Sequence, residues 1–169
     1  KVPVTFNAGE GTFGTTNESS SQLNHGTAIT APTAPTREGY NFLGWAATEG
    51  GAVLDTLGTA TDYDNGHTFY AVWAKATYAV TYKVDGALYA TEDVEFEGTV
   101  TVKEFPADIT GYTFAGWDVE VPATMPAGDL TITAQWTINQ YTITFVDTGD
   151  ASYAPITLDY NAPVATIAD

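Results

Sequence analysis

Three stretches of the chain alternate apolar residues with small or polar ones: Val2-Pro3-Val4-Thr5-Phe6, Tyr78-Ala79-Val80-Thr81-Tyr82 and Tyr141-Thr142-Ile143-Thr144-Phe145. A period of two is the mark of a strand with one buried face. It turns Val2, Val4 and Phe6 inward in the first stretch, Tyr78, Val80 and Tyr82 in the second, and Tyr141, Ile143 and Phe145 in the third. A second strand follows each, with Leu23, His25 and Ile29 matching Val94, Phe96 and Val100, and then Leu158, Tyr160 and Val164.

Connectors bearing Pro32 and Pro35, and later Pro106, lead into two related clusters, Gly39-Tyr40-Asn41-Phe42-Leu43-Gly44-Trp45 and Gly111-Tyr112-Thr113-Phe114-Ala115-Gly116-Trp117. Plain alternation places Tyr40 and Phe42 on one face, and Leu43 and Trp45 on the other. Gly39 and Gly44 permit sharp entry and exit, or a bulge that re-aims Trp45. Closing strands follow at Thr68–Trp73 and Thr131–Trp136, where Phe69, Ala71 and Trp73 match Ile132, Ala134 and Trp136.

These matches define repeats over residues 1–75 and 76–138, with an incomplete third over 139–169. Trp45 and Trp73 are 28 positions apart, Trp117 and Trp136 only 19. The surplus falls in the Gly- and Thr-rich stretch 46–61, expected to be a surface loop or short hairpin. The third repeat is expected to reach its aromatic cluster beyond Asp169, as one piece of a longer array. The linkers Ala74-Lys75-Ala76-Thr77 and Thr137-Ile138-Asn139-Gln140 are too short and too apolar for a flexible tether. Ile138 and Tyr141 are expected to stiffen the second junction.

The expected fold is therefore mainly β, with at most one short helix per repeat. Expected in the first core are Val4, Phe6, Leu23, Ile29, Tyr40, Phe42, Trp45, Phe69 and Trp73. Expected in the second are Val80, Tyr82, Val94, Phe96, Tyr112, Phe114, Trp117, Ile132 and Trp136. Small modules concentrate buried area in few rings, each covering roughly 150–250 Å². Ile143, Phe145 and Leu158 of the third repeat lack partners, so association through that edge is an expectation.

Composition narrows the functional classes. Of 169 residues, 21 are acidic and 5 basic, for a net charge of -16. That field repels nucleic acid and anionic lipid. Cysteine is absent, which removes thiol catalysis and thiolate metal sites. No apolar run approaches the roughly 20 residues of a membrane-spanning helix.

Thr36-Arg37-Glu38-Gly39-Tyr40-Asn41-Phe42-Leu43-Gly44-Trp45, the closing Phe69-Tyr70-Ala71-Val72-Trp73 and the opening Val4-Thr5-Phe6-Asn7-Ala8-Gly9-Glu10-Gly11 together resemble the Listeria–Bacteroides repeat, also called the internalin B-repeat. The second repeat, with Pro122-Ala123-Thr124-Met125-Pro126-Ala127, is similar to a shorter form of it. The resemblance implies tandem β-grasp-like modules in an elongated array, within an extracellular or cell-surface bacterial protein. It implies a stalk or adhesive unit and no catalytic residues. The first repeat has His25 where the others have Phe96 and Tyr160, and Arg37-Glu38 where the second has Ile109-Thr110.

The residues offer little for catalysis. Ser19, Ser20 and Ser21 precede His25, but no Gly-x-Ser-x-Gly elbow surrounds a serine. His67 follows an Asp-Asn-Gly turn, and nothing marks Lys83 or Lys103 for a crosslink to asparagine. Calcium is the one metal worth weighing, with Asp62, Asp64 and Asn65 as weak ligands and Asp147-Thr148-Gly149-Asp150 as a second cluster. Neither cluster has the twelve-residue loop that ends in a bidentate Glu, and no other cofactor is expected. The expected function is a non-catalytic spacer in a surface adhesin, partnered by neighbouring repeats. The alternative is an adhesive module that binds host protein or glycan through residues 46–61 and exposed rings.

Overall fold

A computed structural model describes residues 1–104, 109–146 and 153–164. Pro106 and the Asp147–Asp150 cluster lie outside the described residues. Among the described residues, ten strands and one turn of 3-10 helix make up the regular structure. The chain is mainly β, in two mixed four-stranded sheets that follow one another in sequence, then a two-stranded pair.

The first sheet contains β1 (Val2–Asn7), β2 (Glu18–Leu23), β3 (Tyr40–Ala46) and β4 (His67–Lys75), in the order β2-β1-β4-β3. β1 pairs antiparallel with β2 and parallel with β4, and β3 pairs antiparallel with β4. The alternation of β1 is realised: Val2, Val4 and Phe6 are buried, while Pro3 is exposed. The parallel register sets Phe6 beside Phe69, their rings stacked at 5.3 Å, and Trp45 meets Phe6 edge-on at 4.8 Å. Ile29 and Ala60 complete this core, flanked by Leu23, Phe42, Leu54 and Leu57.

The second sheet repeats the design with β5 (Thr77–Val84), β6 (Ala87–Glu95), β7 (Tyr112–Trp117) and β8 (Leu130–Ile138), in the order β6-β5-β8-β7. Asp85 and Gly86 join β5 to β6 in left-handed conformations, φ 50° and 76°, as a two-residue hairpin requires. Tyr82 pairs with Ile132 across the parallel register, and both are fully buried. Tyr82 stands where the first sheet has Phe6, and its hydroxyl donates to the carbonyl of Thr101 at 3.1 Å, which satisfies a buried polar group. The third element is a short antiparallel pair, β9 (Gln140–Ile143) and β10 (Ile156–Asp159).

A β-bulge explains the aromatic cluster. The β3–β4 register shifts between Phe42 and Gly44, and the β7–β8 register shifts between Phe114 and Gly116. One extra residue reverses the facing of everything after it. Trp45 therefore returns to the side of Phe42, 5.2 Å away, and Trp117 to that of Phe114 at the same distance. Plain alternation had paired Leu43 with Trp45; instead Trp45 is buried and Leu43 is 54% exposed. Gly44, at φ 144°, and Gly116, at φ 120°, take backbone angles that a side chain resists.

Four expected core residues lie elsewhere; one is Val94, expected in the second core but part of the segment Asp93–Thr99 that belongs with the first repeat. Tyr40 and Tyr112 precede the bulge and belong to the junctions described below, and so does Phe96. Trp73 is half-buried at the edge of the first core, where its ring covers Gly11 and meets Phe42 at 5.4 Å. Its indole N–H donates to Ala8 O at 3.1 Å.

Residues 46–61 are only partly surface. Ala52, Val53, Asp55 and Thr56 are exposed, while Leu54, Leu57 and Ala60 pack on the first core. Backbone bonds from Leu54 N to Trp45 O, Ile29 N to Gly58 O and Ala60 N to Thr27 O hold the stretch in place. The insertion thus serves the first core instead of looping away from it.

The chain forms two compact bodies, and their limits differ from those of the sequence repeats. The first comprises Lys1–Ala79, Asp93–Thr99 and Thr124–Asp129; the second comprises Val80–Glu92, Val100–Ala123 and Leu130–Asp169.

Candidate functional site

Linkers of four residues were expected between repeats, but the strands consume all except one. β4 ends at Lys75 and β5 begins at Thr77, leaving Ala76; β8 ends at Ile138 and β9 begins at Gln140, leaving Asn139. Neither residue is free. Within the first body, Ala76 N donates to Gly39 O at 2.8 Å, and Ala76 O accepts from Phe96 N at 2.8 Å. Within the second body, Asn139 N donates to Gly111 O and Asn139 O accepts from Tyr160 N, both at 2.8 Å.

The side chains repeat the pattern. Gly39 and Gly111 are left-handed, at φ 76° and 84°. A Cβ on Gly39 would run into the ring of Phe96, and one on Gly111 into the ring of Tyr160. Tyr40 meets Phe96 edge-on at 5.7 Å, and Tyr112 meets Tyr160 at 6.1 Å. The Gly-Tyr dipeptide is therefore a flat seat for an aromatic ring that lies in the following repeat of the sequence. Ile138 and Tyr141 were expected to stiffen the second junction; both are partly exposed, and Tyr141 takes part through its ring, 6.3 Å from that of Tyr160, which covers the seat itself. Its signal in the sequence was the recurrence of an aromatic two residues beyond Val94 and Leu158.

Charge reinforces only the first junction among the described residues. The Arg37 guanidinium sits 3.6 Å above the Tyr40 ring and pairs with Glu10. Lys75 Nζ donates to Glu97 at 3.0 Å, a bond that raises the Lys75 pKa. At the second junction Thr113 Oγ1 donates to Asn139 Oδ1 at 2.6 Å, and Gln140 Nε2 to Asp159 at 2.9 Å.

A shallow groove of about 540 Å³ opens beside the inserted stretch. Pro3, Thr5, Thr48, Glu49, His67 and Tyr70 contribute to its lining. Such a surface offers hydroxyls, a carboxylate and an aromatic ring to a polar ligand. His67 is stacked on Tyr63 at 4.3 Å and meets Phe69 edge-on at 4.6 Å, so it is part of the packing. His25 lies in the turn after β2, 3.3 Å from Asp64. Ser19, Ser20 and Ser21 lie in β2 opposite Phe6, Thr5 and Val4, where Ser20 bonds Thr5.

The weak calcium ligands fall at the 3-10 turn. Asp62 Oδ2 accepts from Thr59 N at 2.7 Å and from Thr59 Oγ1 at 2.9 Å. The backbone bond first, then the hydroxyl, holds the Asp62 carboxyl below its usual pKa. Asp64 and Asn65 follow in an exposed turn. Among the described residues no three His, Cys, Asp or Glu side chains converge as a metal site. Lys103, considered for a crosslink, pairs with Glu92 at 2.7 Å. No helix among the described residues is long and apolar enough to cross a membrane.

Comparison with known proteins places these features in a family context. The Listeria-Bacteroides repeat domain matches the chain twice, over residues 3–72 and 78–135. Internalin H of Listeria monocytogenes is 35% identical over 120 residues, which cover 66% of this chain and 22% of that protein. A putative Gly-rich membrane protein of Evansella cellulosilytica is 28% identical over 154 residues, covering 85% of this chain and 18% of that protein. A putative membrane protein of the same organism is 26% identical over 152 residues, covering 80% and 22%. The chain thus spans about a fifth of the relatives it matches.

Proposed function

The chain belongs to the Listeria-Bacteroides repeat domain family, and from that premise we propose that it is a non-catalytic spacer segment of a bacterial cell-surface protein. The junctions carry this reading. Ala76 and Asn139 are the lone residues between successive repeats, and the backbone N–H and C=O of each are both bonded. A chain that needed mobile, independently acting modules would separate them with a longer polar tether. Here the linkers have no slack, which suits a segment whose task is to hold other parts at a set separation.

Each four-stranded sheet is read as β-grasp-like, because its first and last strands form a parallel central pair flanked by antiparallel partners. The net charge of -16 suits an exported segment that must stay soluble and unassociated. Location at the cell surface follows the kind of protein in which the family occurs, internalin H among them.

The groove beside Thr48 and Glu49 favours a second reading, adhesion to a host protein or glycan through the inserted stretch. The two readings part in one experiment. The purified chain is applied to glycan and host-matrix arrays beside a variant carrying Thr48→Ala and Glu49→Ala, with calcium present and chelated. Absence of binding under all conditions supports the spacer. Saturable binding lost in the variant overturns it in favour of an adhesive module.

A further inference from the structure

We propose that the Asn24–Thr27 turn of the first repeat is a docking surface for the Gly-Tyr seat of another repeat of this kind placed ahead of it, with the imidazole of His25 resting on that glycine. Three turns in the chain share one construction. The N–H groups of Thr27, Gly98 and Ala162 each donate to the carbonyl three residues back, on Asn24, Glu95 and Asp159, at 3.1, 2.7 and 2.9 Å. The third residue of each turn is left-handed: Gly26 at φ 77°, Glu97 at 62° and Asn161 at 58°. Side support is similar in the first two, since Gly26 N donates to Thr61 Oγ1 and Glu97 N to Met125 O.

The second residue of each turn carries a planar ring: His25, Phe96 and Tyr160. Phe96 and Tyr160 cover Gly39 and Gly111 and stand edge-on to the tyrosines that follow. His25 has the same backbone setting, yet its side chain is 59% exposed, beside the equally open Asp64 at 3.3 Å. A flat ring on a turn of this shape is the element that twice fills a glycine seat in this molecule. The occupant that fits His25 is therefore a left-handed glycine followed by tyrosine. This inference holds whether the chain acts as spacer or as adhesive module.

The test uses the full chain extended at its N-terminus by a copy of residues 1–76. Ala76 of the copy then precedes Lys1 as it precedes Thr77 in the chain itself. The copy carries His25→Asn, so that the chain's own His25 is the one reporting. Diethyl pyrocarbonate is expected to modify His25 in the unextended chain, and extension is expected to abolish that reactivity. Equal reactivity with and without the extension would overturn the proposal. Reactivity should return when the copy also carries Gly39→Ala. Because that change also strains the copy, the melting temperature is measured with His25→Phe in both proteins. A larger rise in the extended chain supports the docking, and equal shifts refute it.

Discussion

The ring of Phe96 lies against the α-carbon of Gly39, on the spot that a side chain at position 39 would fill. Gly39→Ala therefore combines a left-handed backbone with a collision. A cost of about 2–5 kcal/mol is expected, from ~1–2 for the backbone and ~1–3 for the crowding. Gly9 is also left-handed but has open space around it, so Gly9→Ala should cost only about 1–2 kcal/mol. Urea unfolding of both variants checks the difference, and equal losses would remove the seat from the explanation.

Phe96→Tyr should leave stability within about 0.5 kcal/mol of the parent, because Tyr160 occupies the matching seat on Gly111. Phe96→Ala should cost about 2 kcal/mol, less than for a fully buried ring, since Phe96 is half-buried. Amide exchange at Ala76, whose N–H donates to the carbonyl of the seat residue Gly39, should quicken in the alanine variant and stay slow in the tyrosine one.

Much of the architecture was legible in the sequence because the apolar period of β1, β5 and the closing strands was regular. The pairing of Phe6 with Phe69 and of Tyr82 with Ile132 follows those matched positions. The Asp85-Gly86 hairpin signal was there too, though unused. The side taken by Trp45 was left open because a bulge is a backbone event, and alternation cannot choose between a glycine that ends a strand and one that kinks it. Tyr40, Tyr112 and Phe96 were assigned to cores for another reason: sequence shows that a ring recurs, not which surface it covers. The groove residues, drawn from β1, β4 and the inserted stretch, carried no shared pattern, and only folding brings them together.

Trp45 and Leu43 separate the two facings of β3. Trp45→Ala should cost about 3–5 kcal/mol, since it removes a ring touching Phe6, Phe13 and Phe42. Leu43→Ala should fall within about 0.5 kcal/mol of the parent. A large loss at Leu43 would contradict the bulge.

Stability is expected to decline at both ends of the pH scale. Hydrogen bonds to Glu97 and Glu92 raise Lys75 and Lys103 above their ordinary 10.5, and burial raises Tyr82 above 10.0. These groups hold protons more tightly when folded, so their contribution is complete below the ordinary values and is lost as pH rises through the folded ones. Asp62 is lowered from 3.8, so its contribution is complete above that value and lost as pH falls through the folded one. Melting temperature followed across pH should fall on the alkaline side, and Lys103→Met should soften that fall.

Replacing residues 46–61 with a connection as short as that of the second repeat should destabilise the first body by about 3 kcal/mol or more, because Leu54, Leu57 and Ala60 leave the core. Thr48→Ala and Glu49→Ala, on the groove, should leave unfolding in urea nearly unchanged.

The parallel pairing of β1 with β4 also decides how a repeat meets mechanical load. Its first and last strands lie side by side and run the same way, so tension applied through the two ends of a repeat drags β1 and β4 past each other lengthwise. The ladder between them is then sheared as a whole, its hydrogen bonds resisting together, whereas an antiparallel pair pulled from adjoining ends would peel open one bond at a time. The same pairing recurs between β5 and β8, so each complete repeat carries its own clamp against stretching.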